Sequence, residues 1–206
     1  MKVRRAAITV SLLAVGGLAL SACYSGNLSG PRTGIVGDSI TAMSAPDIES
    51  DLAPNYAHQV QATNGYTIAQ GEGELNTIDT DPAGPPVDIV INLGSNDAVQ
   101  QNPNWQTDWN NLIAEADPAG CVILTTLRPI LDYQKVIPIA DDINAEIANL
   151  VQSDPHVHEL DWATFSDDNP QVISPDGLHP NAQGQDDYAA MVSFALHQYC
   201  GDPGGE

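Results

Sequence analysis

Val87-Asp88-Ile89-Val90-Ile91-Asn92-Leu93-Gly94-Ser95-Asn96-Asp97 is the stretch that decides the fold. The apolar run at its centre falls on both parities, with Val87, Ile89, Ile91 and Leu93 on one and Val90 on the other. A strand of this kind is buried on both faces, as in a parallel sheet between two helix layers. Working outward, Cys121 to Leu127 is a second strong apolar run, while Thr33 to Val36, Ala57 to Thr63 and Val157 to Trp162 are weaker strand candidates. Helical periodicity lies between them. Asn104 to Ala116 places Trp105, Trp109, Leu112 and Ile113 on one face, and Ile137 to Val151 does the same with Ile139, Ile143, Ile147, Leu150 and Val151. A last helix, Asn181 to Tyr199, starts after Pro180. Strands alternating with helices predict a three-layer α/β/α domain around a parallel sheet of about five strands. Residues 33–200 form that single domain in this reading, and 201–206 are expected to be a disordered tail.

The chain has 206 residues, with 6 Lys and Arg against 27 Asp and Glu, a formal charge of -21. Such a polyanion does not bind nucleic acid through phosphates, which need Lys and Arg. Nor does charge hold it on an anionic membrane surface. A hydrophobic fraction of 42% excludes a disordered acidic tail.

Residues 1–22 read as an export signal, with Lys2, Arg4 and Arg5 ahead of an apolar run from Ala6 to Leu20. The run is short for a transmembrane helix. Leu20-Ser21-Ala22-Cys23 follows it and resembles the lipobox of bacterial lipoproteins, in which the Cys carries lipid and begins the mature chain. The alternative is a plain signal peptide with an incidental Cys. Cleavage before Cys23 removes three cations and no acid, leaving Arg32, Arg128 and Lys135 against 27 acids, a formal charge of 3 minus 27, or -24. Residues 23–32 read as a flexible tether, so that lipid at Cys23 supplies the only membrane affinity. Cys121 and Cys200 remain, an even pair in an exported chain, and are expected to form a disulfide at the edge of the sheet opposite the strand ends that carry the site.

Four short segments carry the chemistry: Gly37-Asp38-Ser39 after the first strand, Asn64-Gly65 after the second, Gly94-Ser95-Asn96-Asp97 after the third, and Asp176-Gly177-Leu178-His179-Pro180 before the last helix. Each alone is weak, since a Ser after a strand is usually a helix cap and an Asn there a turn residue. In an open α/β sheet all four converge on the carboxyl edge, where ligands bind. A Ser hydroxyl needs a base, and a His needs an acceptor on its other nitrogen. Ser39, His179 and Asp176 fill these roles as nucleophile, base and orienting acid. The backbone N–H of Ser39, the backbone N–H of Gly65 and the side-chain amide of Asn96 are three donors for an oxyanion.

These blocks resemble those of the SGNH hydrolases, also called the GDSL esterase/lipase family, over about residues 33–199. The opening block is Gly-Asp-Ser-Ile here, and the Gly65 block is the loosest match. The resemblance implies a flavodoxin-like fold, hydrolysis of carboxylic esters or thioesters through Ser39, Asp176 and His179, and no metal or organic cofactor. The expected partner is a small acyl ester or an acylated envelope carbohydrate, acted on by a monomer. Alternatives are transfer of the acyl group to a sugar hydroxyl, thioesterase or lysophospholipase activity, and a noncatalytic binding lipoprotein. Asp97, Trp105 and Arg128 are candidate substrate contacts: the first follows Asn96, the second follows that loop, and the third ends the fourth strand. Structural roles compete for all three, as a turn cap, a core residue and an ion-pair partner. Asp38 is read as a loop-stabilising residue. His156 and His158 lack a third ligand and are read as surface residues rather than a metal site.

Overall fold

The computed structural model describes residues 24–129 and 137–201. The expected signal and Cys23, the end of the tail (202–206) and residues 130–136 lie outside the described residues. Six strands form one sheet: β1 (Ser25–Gly26), β2 (Arg32–Gly37), β3 (Ala57–Ala62), β4 (Asp88–Asn92), β5 (Cys121–Thr125) and β6 (Val157–Leu160), in the order β1-β3-β2-β4-β5-β6. All neighbours pair in parallel except β1, which runs antiparallel to β3. The helices are α1 (Ser39–Leu52), α2 (Ile68–Asp79), α3 (Ser95–Gln100), α4 (Trp105–Ala116), α5 (Ile137–Ser153), α6 (Trp162–Asp168) and α7 (Ala182–Ala195); α7 ends in a π-helical turn, Leu196–Cys200.

Alternation along the strands divides the core. Val36, Ile89, Ile91, Val122 and Leu124 face α2, α4 and α5. Ile35, Val90, Ile123 and Leu160 face α1 and α7, where Trp162, Tyr188 and Val192 fill the layer. The expected three-layer architecture is therefore present. Helical periodicity passes over α1 and α2 for physical reasons. Helix α1 carries Pro46 inside it, and α2 carries Gly71 and Gly73, residues that oppose helix on propensity alone. Packing against the sheet, and for α2 a capping box between Thr67 and Gln70, hold them.

The tether expectation needs correction at residues 24–26 and at Arg32, which opens β2. Tyr24 is buried in the core, Ser25 and Gly26 pair with His58 and Ala57, and the Ser25 hydroxyl lies 3.0 Å from His58 Nε2. A short strand at an open sheet edge satisfies backbone groups that would otherwise be exposed, so this segment is docked on the domain. Among the described residues, no helix is long and apolar enough to cross a membrane.

Cys121, at the start of β5, is bonded to Cys200, at the end of the π-helical turn. The pair lies at the amino edge of the sheet, opposite the strand ends that carry Ser39 and Asn96. Asp88 lies within reach of both sulfurs, but the disulfide removes the thiolates a metal would need. The cross-link spans 79 residues, for which chain entropy gives about 4 kcal/mol. Replacing both cysteines by Ser is expected to lower the melting temperature by about 10 °C while leaving the far-UV circular dichroism intact. An unchanged melting temperature would show that the cross-link contributes nothing.

Candidate active site

The site forms where the chain reverses its direction across the sheet. From β2 the chain crosses to β3 on one side and returns to β4 on the other, so β2 and β4 pair directly, Gly37 opposite Asn92. This is the topological switch point of an open α/β sheet. Asp38 caps α1 by accepting the Ile40 N–H at 3.0 Å, which puts Ser39 in the first turn. The Ser39 Oγ lies 2.8 Å from His179 Nε2, and His179 Nδ1 lies 2.8 Å from Asp176 Oδ2. These partners assign the tautomer: Nδ1–H donates to the carboxylate, and Nε2 accepts from the hydroxyl. The other Asp176 oxygen accepts the N–H groups of Leu178 and His179, both at 3.0 Å. Partial burial pushes the Asp176 carboxyl up, but these N–H groups and the imidazole outweigh it and hold its pKa below the ordinary value.

Of the three expected oxyanion donors, Ser39 and Asn96 lie in the first turns of α1 and α3, and Gly65 lies in the turn after β3. Gly65 sits in an exposed turn with φ +86°, and a Cβ there would meet nothing within 4 Å. That left-handed backbone favours glycine at this position. Asn96 is in the first turn of α3, launched by Gly94, whose φ of +119° excludes other residues and whose Cβ would press on Ile143 and Leu127 at 2.8 and 2.9 Å. The Asn96 amide donates to the Tyr66 carbonyl at 2.9 Å and to Asp38 Oδ2 at a longer 3.3 Å. The first bond fixes the side chain. The second N–H is the one that can turn to an oxyanion.

Two buried carboxylates hold this constellation. Asp38 has no exposed surface, and its two oxygens link α1 to Asn96. Burial pushes its pKa up to about 6, against the Ile40 N–H and the charge of His179. Asp97 also has no exposed surface. It accepts the N–H of Ile68, the first residue of α2, at 2.9 Å, and the Asn102 amide at 2.7 Å. Asp97 therefore takes the capping role that competed with substrate contact in the sequence reading. It supplies an acceptor to an orphan helix N–H and ties the Gly65 turn to the Asn96 turn.

Arg128 is likewise turned to structure. Its side chain, 11% exposed, donates Nε to Asp167 at 3.0 Å and a guanidinium N–H to the Gly177 carbonyl, bracing the loop that carries Asp176 and His179. Trp105 is 7% exposed and belongs to the core. His156 Nδ1 lies 3.1 Å from the Gly120 carbonyl, and His158 stacks on Tyr199. Sequence reasoning did not single out Tyr66 or Asn102. Tyr66 acts through its carbonyl and leaves no side-chain signal, and Asn102 looks like any turn residue.

The sequence profile of the GDSL-like Lipase/Acylhydrolase family matches residues 35–186. The chain belongs to that family. Among curated relatives, this family member is 25% identical over 171 residues to peptidoglycan O-acetyltransferase OatA of Listeria monocytogenes, covering 81% of this chain and 24% of that protein. The chain thus spans about a quarter of that relative. The C-terminal catalytic domain of Streptococcus pneumoniae OatA, solved with a methylsulfonyl adduct, superposes with a TM-score of 0.71 at 19% identity, over 83% of this chain and 95% of that one. A catalytic mutant of an acetylxylan esterase from Geobacillus stearothermophilus gives 0.60 at 16% identity, over 90% and 97%. These two structures share the fold of the GDSL-like family member described above.

The buried acids set a pH dependence of stability. Asp38 and Asp88 are each raised from 3.8 to about 6, chiefly by burial. The folded chain then keeps protons that the unfolded chain has released, so stability falls as pH rises from about 4 to 6. Asp176 acts oppositely, but only at still lower pH. The urea midpoint is expected to be higher at about pH 5 than at about pH 7.5, with part of the difference lost in Asp38→Asn; equal midpoints would contradict it. Asp97→Asn should cost roughly 1–3 kcal/mol in urea unfolding, because its amide cannot accept both N–H groups.

Proposed function

We propose that this chain is an exported serine hydrolase that cleaves short acyl esters, acetyl groups above all, from cell-envelope carbohydrate. The observation that carries the reading is the Ser39–His179–Asp176 chain, closed by contacts of 2.8 and 2.8 Å beside the Asn96 amide. His179 Nε2 takes the Ser39 proton as Oγ attacks the ester carbonyl. The oxyanion is received by the N–H groups of Ser39 and Gly65 and by the Asn96 amide. The protonated imidazole, held by Asp176, gives its proton to the leaving sugar oxygen and leaves an acyl-Ser39. Water then enters, His179 removes its proton, and collapse of the second oxyanion frees the acid. The mechanism calls on no metal or organic cofactor.

The acetylxylan esterase fold and the OatA similarity support a carbohydrate ester as substrate. The OatA similarity also favours a second reading, in which a sugar hydroxyl replaces water in the last step. Export is supported by the apolar leader and by the disulfide, which persists in oxidising compartments. Cys23 carries the lipid in this proposal and holds the enzyme on the envelope. The 24–26 segment, docked on the sheet edge, would keep that anchor close to the body of the domain.

Ser39→Ala is expected to abolish hydrolysis of p-nitrophenyl acetate, and Asn96→Ala to reduce kcat roughly 10²- to 10³-fold. Undiminished turnover in the Ser39 variant would overturn the mechanism. Product analysis with an acylated donor and an excess of oligosaccharide acceptor separates the readings, since free acid marks the hydrolase and acyl-sugar the transferase.

A further inference from the structure

The helix layer that carries Asn96 holds a second feature. Helix α4 packs chiefly on α2, and α5 chiefly on α3 and β6, so the two leave a groove between them. Its volume is about 290 Å³, and it is lined by Trp105, Gln106, Trp109 and Asn110 of α4 and Glu146 of α5. Gln106 and Asn110 are exposed and one helical turn apart, so their amides offer donors and acceptors side by side. Glu146 adds an acceptor, and the edges of the two largely buried indoles close the groove. Neither Lys nor Arg lines the groove, and the chain carries a charge of -21, which excludes an anionic ligand. An acyl chain would bury the amides and the carboxylate without partners. The chemistry that remains is a neutral ligand rich in hydroxyl or amide groups.

A second observation points the same way. Trp109, only 3% exposed, has its indole N–H buried with no hydrogen-bond partner among the described residues. Buried donors in native proteins nearly always have one. A sugar oxygen seated in the groove, with Gln106 or Asn110 turned aside, would supply it. The groove is also fixed to the site. The Asn102 amide donates to Asp97 at 2.7 Å and to Asp108, in the first turn of α4, at 3.0 Å, so α4 and the Asn96 turn are bonded through one side chain.

We propose that the α4–α5 groove is a glycan subsite that holds neutral sugar units of the substrate beyond the one bearing the ester. The proposal rests on the carbohydrate-ester reading and names the part of the chain that would recognise the carbohydrate. The test uses a Gln106→Ala, Asn110→Ala, Glu146→Ala triple variant, whose changes are all at exposed positions. Its kcat/KM on an acetylated xylo-oligosaccharide or chito-oligosaccharide should fall at least roughly tenfold, mainly through KM, while kcat/KM on p-nitrophenyl acetate is unchanged. Equal kcat/KM of parent and variant on the oligosaccharides would overturn the subsite. Binding provides a readout independent of chemistry. Titration with unacylated xylotetraose and chitotetraose should give a saturable change in tryptophan fluorescence in the parent and in Ser39→Ala, lost in the triple variant. Absence of any saturable change would overturn the subsite, whereas binding by a chain without esterase activity would keep it and overturn only the catalytic reading.

Discussion

The direct pairing of β2 with β4 is the constraint on which the rest of the molecule depends. Gly37 lies opposite Asn92, so the chain leaves both strands at the same height. Two residues on from Gly37 comes Ser39, and four on from Asn92 comes Asn96. Ser39 and Asn96 are thus brought together by strand register before any side chain is placed. The register in turn is enforced by burial. Ile35 and Val36, like Val90 and Ile91, point into opposite cores, so a slip of one residue would send each of these side chains to the wrong core.

A chain with 27 acids and few cations must decide which carboxylates to bury. Asp38 and Asp97 are fully buried beside the site, and each accepts the N–H of a residue in the first turn of a helix. Their remaining oxygens reach Asn96 and Asn102, so the two acids join the segments that follow β2, β3 and β4. The desolvation of a carboxylate is tolerated there because helix N-termini concentrate donors and positive potential. Asp176 differs. Its side chain is 52% exposed, it stays in the ionised range, and it acts on the imidazole rather than on the scaffold.

Much of this was legible in the sequence. The unbroken apolar stretch from Ile89 to Ile91 implied a strand buried on both faces, and Gly37-Asp38-Ser39, Gly94-Ser95-Asn96-Asp97 and Asp176 to His179 lay where the strands end. The illegible parts share a cause. Helices α1 and α2 contain Pro46 and two glycines, and tertiary packing overrides their local preference. The 24–26 segment is rich in Ser and Gly, yet an open edge on β3 gives it a partner. Arg128 had two readings, an ion-pair partner and a contact for a substrate anion, and it is Asp167 and the Gly177 carbonyl, 39 and 49 residues away, that decide for the first.

By itself, the sequence determined the alternation of strands and helices through most of the domain, the two-faced burial of the central strands and the identity of the candidate site residues, because these follow from periodicity and from residue chemistry over a few positions. Tertiary structure alone decided which groups meet and which way they point. Ser39 and His179 are 140 residues apart, and only the crossing of the chain over the sheet closes 2.8 Å between them. The same holds for Asp97, whose type suited substrate contact or a turn cap and whose neighbours turned it inward. A polar side chain faces the site or the core according to the partners that distant segments bring to it, and no local pattern records those partners.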